Sequence, residues 1–99
     1  MVSYNTVIHQ HAERALNGLP EKEQHTLRET LQAVAKCEEP SQHEKVRAME
    51  GQAGMYRVRV GDYRAIYTLE KPYLVVVAVG SRKNVYENVD ELHQRVEAF

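Results

Sequence analysis

Three arginines, Arg57, Arg59 and Arg64, fall within eight residues of one another in the stretch MYRVRVGDYRAIYTL, residues 55–69. Guanidinium groups gathered this closely repel one another, so their clustering needs a reason. Arginine presents a planar fork of donors that grips phosphate oxygens two at a time, and it keeps its charge at any physiological pH. Several such forks on a rigid support suit a polyanion backbone, or the extra negative charge of a phosphorane-like transition state. The plain alternative is a solvated strand face on which long arginines happen to sit. A second group, GSRKNVY at residues 80–86, adds Arg82, Lys83 and the phenol of Tyr86 after an apolar run. Tyr86 alone also suits a half-buried position at the start of a helix.

The elements that would carry these groups can be read from spacing. Side chains alternate along a strand, so Arg57 and Arg59 share one face and Val58 and Val60 the other. Gly61-Asp62 reads as a two-residue hairpin turn between strands 55–60 and 63–69. Val60 then pairs with Tyr63, and Arg59 lies opposite Arg64. That like-charge pair costs the hairpin up to about 1 kcal/mol. Val58, Val60, Ala65 and Tyr67 form the opposite, apolar face. The next run, residues 73–79, is almost continuously apolar and reads as a central strand covered on both faces.

Upstream, residues 3–8 alternate weakly as a first strand. Ala12, Ala15, Leu16 and Leu19 recur at helical spacing, giving a helix over 10–18. Pro20 suits the first turn of a second helix, 20–36, with Glu21 and Glu23 favourably placed at its start. Leu27, Leu31 and Val34 make its buried stripe. Two helices joined by almost nothing form an antiparallel hairpin. Residues 38–43 are a polar loop, 45–50 a short strand, and 51–54 a break. Val89, Leu92, Val96 and Phe99 predict a third helix from about Asn88. The fold class expected is α+β: a mainly antiparallel sheet with a helical hairpin on one face and a C-terminal helix.

The chain of 99 residues is long enough for one domain, residues 1–99, and its net charge of −1 excludes a general nucleic-acid coat protein. Any contact with nucleic acid must be a local patch. The single cysteine, Cys37, forbids an internal disulfide. No apolar run approaches the ~20 residues a membrane span needs. The first ten residues lack the basic start and apolar stretch of a signal peptide, so a cytoplasmic protein is expected. His9 and His11 have no acidic or thiol neighbour in sequence, Cys37 has no histidine-based dyad, and no glycine-rich phosphate loop is present. Metal binding, thiol catalysis and nucleotide hydrolysis are therefore not expected.

Taken together, LP near residue 20, MYRVRVGDYRAIYTL, and an apolar strand ending in GSRKNVYE resemble the RelE-type toxins of bacterial toxin–antitoxin pairs, within the RelE/ParE superfamily. Order and spacing agree over nearly the whole chain. The resemblance implies the family's α+β fold and ribosome-dependent cleavage of mRNA in the decoding site, with no metal or other cofactor. It implies as partners a cognate antitoxin, mRNA and the ribosome with its ribosomal RNA. The family's catalytic positions fall on Arg57, Arg59, Arg64, Arg82 and Tyr86; Lys83 and Arg47 are further candidates for RNA binding. In that chemistry the 2′-OH attacks the adjacent phosphorus and the 5′-oxygen leaves. Arg64 and Arg82 stabilise the phosphorane, while Arg57 and Arg59 hold the backbone. Free tyrosine titrates near about 10 and arginine above about 12, so neither is a ready base. A phenol among guanidiniums titrates lower, which makes Tyr86 the candidate base or 2′-OH orienter.

Two positions depart from the family pattern. Ser81 stands where many relatives carry a histidine or basic residue, and Glu50 where a basic residue is common. Two alternatives stay open: a ParE-like toxin that poisons DNA gyrase, and a non-catalytic relative that only binds its antitoxin. The strand arginines with the terminal RxxxY favour RNA cleavage.

Overall fold

The computed structural model describes residues 4–37, 46–48 and 54–81. The C-terminal helix expected from Asn88 lies outside these residues. The described elements are β1 (Asn5–Ile8), α1 (Gln10–Asn17), α2 (Glu21–Ala35), β2 (Val46–Ala48), β3 (Met55–Val60), β4 (Tyr63–Glu70) and β5 (Tyr73–Ser81). They form an α+β fold with one five-stranded mixed sheet, ordered β1-β5-β4-β3-β2. Four strands are joined antiparallel, while β1 runs parallel to β5.

Helix α1 begins at His9, whose Nδ1 accepts a hydrogen bond from the backbone N–H of His11 at 3.3 Å. That satisfies one of the orphan donors of the first turn. The His9 and His11 rings stack 5.2 Å apart. Helix α2 starts at Glu21, one residue later than expected, because Pro20 stands at the N-cap, without a side-chain bond, and not in the first turn. Its stripe, Leu27, Leu31 and Val34, is fully buried as the i, i+4, i+7 spacing requires. Arg28 ties the hairpin: one Nη2 reaches Glu13 Oε1 at 2.7 Å and Asn17 Oδ1 at 2.9 Å.

Both helices pack on one face of the sheet, α1 over β5 and α2 against β1 and β3. The core there joins Ala12, Leu16, Leu27, Leu31 and Val34 to Val46, Val58, Ala65, Tyr67, Leu74, Val76 and Val79. The tie from Tyr4 N–H to the carbonyl of Ala35 at 2.7 Å anchors the end of α2 to the start of β1. Strand β5 carries a bulge on its edge with β4. Ile66 pairs with Ala78 but Tyr67 with Val76, so Val77 is the extra residue. The shift places Leu74, Val76 and Val79 on the helix side despite their uneven spacing. Residues 74–79 are all buried, as expected for a strand inside the sheet.

Candidate functional site

The Gly61-Asp62 turn sets the hairpin register. Gly61 has φ +58°, the positive value that a primed two-residue turn demands at its first central position. Val60 pairs with Tyr63 and Arg59 with Arg64, as expected. Across the other side of β3, Arg47 pairs with Arg57, and Arg57 in turn with Ile66. Cβ atoms in such opposed positions stand about 5 Å apart, and alternate residues on a strand about 7 Å. Arg47, Arg57, Arg59 and Arg64 thus root in one patch across three strands, on the face turned away from α1 and α2.

The four arginines are not equivalent. Arg47, Arg57 and Arg59 are exposed, whereas Arg64 retains only 9% of its surface. Its Nη1 donates to the carbonyls of Gly61 at 3.1 Å and Tyr63 at 3.2 Å. Arg47 Nη1 donates to the carbonyl of Val46 at 2.8 Å. Among the described residues, neither Arg59 nor Arg64 has a carboxylate within ion-pair distance. Two adjacent cations with no carboxylate partner among the described residues suit an anion site. Arg82, Lys83 and Tyr86 lie outside the described residues, as does Glu50. Ser81 ends β5 opposite Tyr63, on the row next to that of Arg59 and Arg64.

Tyr56, Tyr67 and Tyr73 lie away from this patch. Tyr67 and Tyr56 stack 5.5 Å apart on the helix side of the sheet. Burial, then the neighbouring Tyr56 and Cys37, push the Tyr67 phenol well above the ordinary tyrosine range. Tyr73 is exposed but pairs with Glu70, at the far end of β4 from Arg64. No group of three or more metal-ligating side chains is found among the described residues. Sequence reasoning gave Arg64 a distinct role but did not foresee its burial or its bonds to the turn. The signal was there in part: a residue two places after Gly61-Asp62 sits where its side chain can fold back on the turn.

Residues 7–86 match the family described as "ParE toxin of type II toxin-antitoxin system, parDE". The chain belongs to this family and is a type II toxin of the RelE/ParE superfamily. It is also similar in fold to solved RelE structures. The RelBE2 toxin–antitoxin complex of Mycobacterium tuberculosis superposes with a TM-score of 0.69 at 24% identity, covering 85% of this chain and 97% of that one. The RelE–RelB complex of Pyrococcus horikoshii gives 0.67 at 28% identity, covering 84% and 99%. A free mutant of Escherichia coli RelE gives 0.72 at 17% identity, covering 99% of each chain. No curated protein sequence matches this one significantly.

Proposed function

We propose that this toxin is a ribosome-dependent endoribonuclease that cuts mRNA in the decoding site, and that a cognate antitoxin silences it in the cytoplasm. The observation that carries the reading is the Arg59–Arg64 pair, set directly opposite on adjacent strands with no carboxylate beside either among the described residues. Selection for stability alone disfavours such a pair. The antitoxin follows from the family and from the RelB–RelE complexes to which the fold is similar.

The cut is a transesterification. The 2′-oxygen bonds to phosphorus, the P–O5′ bond breaks, and the products are a 2′,3′-cyclic phosphate and a 5′-OH. Arg57, Arg59 and Arg47 hold the RNA backbone; Lys83 adds a further cation. Arg64 and Arg82 take the charge of the phosphorane. Tyr86 receives the 2′-proton or orients that hydroxyl, and the leaving 5′-oxygen takes its proton from water. The chemistry runs without a metal or other cofactor.

Mapping 5′-OH ends of messages after brief induction tests the reading. Codon-phased cuts in translated messages are expected. Arg64→Ala should reduce them roughly 10²–10³-fold, the cost of losing one donor to a transition-state oxyanion. Intact messages would refute it. The family match supports a second reading, a gyrase poison of ParE type. DNA damage with intact messages favours that one, and neither effect favours a relative that only binds its antitoxin.

A further inference from the structure

We propose that the Gly61-Asp62 turn is a positioning element of the arginine patch, with Gly61 as the residue that aims Arg64. Arg64 is the most buried cation among the described residues, yet it faces Arg59 across the hairpin. Two backbone carbonyls, of Gly61 and Tyr63, accept from its Nη1. These acceptors pull the guanidinium toward the turn and offset its repulsion from Arg59. They also fix the plane of the fork. Among the described residues, no partner is found for Nε or Nη2. No described, fully buried side-chain nitrogen lacks a partner, so these two atoms keep some contact with solvent. Nε–H and Nη2–H form one edge of the fork, with the spacing that meets two oxygens of a phosphate.

The direction of the Gly61 carbonyl depends on the positive φ of Gly61. A Cβ at that position would meet nothing within 4 Å, so space does not require glycine there; backbone conformation does. Asparagine tolerates this region, while a β-branched residue resists it. Arg59 has no such anchor among the described residues and is exposed. The hairpin therefore carries one guanidinium held in advance and one free to swing onto the ligand. The part played by this arrangement in catalysis rests on the ribonuclease reading; the anchoring itself does not.

The experiment compares the full chain with Gly61→Val and Gly61→Asn, all checked for folding by thermal melting. Side-chain nitrogen NMR reads the anchoring. In the wild type the Arg64 Nη signals should be resolved by slow rotation about Cζ–Nη, and inorganic phosphate should shift Arg64 Nε. Gly61→Val should average the Nη signals, and Gly61→Asn should keep them resolved. In message cleavage, Gly61→Val should lower kcat at least tenfold with little change in KM, and Gly61→Asn should restore it. Averaged Arg64 signals in the wild type, or resolved signals and full kcat in a folded Gly61→Val, would overturn the proposal. If the wild type cuts no message, the ribonuclease reading falls alone. The NMR arm then decides: a phosphate shift confined to the exposed arginines also overturns the proposal. Should Gly61→Val fail to fold, a folded Gly61→Ala with Arg64 signals and kcat as in the wild type overturns it instead.

Discussion

The two faces of the β3–β4 hairpin obey one alternation and reach opposite ends. Toward the helices, Val58, Ala65 and Tyr67 are fully buried and join the main core. Toward the other side, Arg57 and Arg59 are exposed while Arg64 and Ile66 are buried. The first face is specified by removal of apolar surface from water, worth about 25 cal/mol per Å². The second spends part of that gain on holding like charges together. The contrast teaches where to look for function: on the face whose residues contribute least to stability.

Substitutions on the two faces should therefore differ in kind. Val58→Asp puts an unpaired carboxylate into the helix-side core and should cost roughly 3 kcal/mol or more, read as loss of a cooperative melt. Arg59→Asp, at the next position on the strand, should cost no stability, since the site is exposed and a carboxylate there faces Arg64 without repelling it. Equal losses from the two would break the comparison.

The buried phenol gives a second distinction. Tyr67 holds its proton more tightly folded than unfolded, because burial raises its pKa above the ordinary value near 10. The stability this provides is complete below about pH 10 and is lost as pH climbs toward the raised folded value. Thermal midpoints at about pH 9 and about pH 11 should fall steeply in the wild type and less steeply in Tyr67→Phe. Parallel slopes would show that Tyr67 is not the group responsible.

Relief of the like-charge pair is a smaller effect of opposite sign. Arg59→Thr should raise stability by up to about 1 kcal/mol in denaturant unfolding, while weakening binding to a polyanion. A loss of stability would mean that Arg59 is structural. The smallest effect should come from Arg28→Ala. It removes a half-exposed pair with Glu13 and a bond to Asn17, and should cost about 0.2–1 kcal/mol with no change at the arginine face.

The hairpin and its arginine pairing were legible because the turn is short. A two-residue loop headed by Gly61 leaves one register, and that register fixes which side chains share a face. The helices were legible from Leu27, Leu31 and Val34, whose spacing admits little else. The parallel pairing of β1 with β5 was not legible: it joins residues far apart in sequence, and nothing local in SYNTVI selects a partner. Nor was the bulge at Val77, because six consecutive apolar residues carry no period to interrupt. Arg47 could be named from its charge, but its place opposite Arg57 depends on a three-residue strand with no pattern of its own.

The sequence by itself determined the elements, the hairpin register and the concentration of cations on one side of β3. These follow from local rules of spacing and turn chemistry. Only the tertiary structure decided that Arg64 is sheltered and anchored while Arg59 stands open. Burial and carbonyl direction depend on how strands and turn are stacked in space, and a string of residue types holds no such information.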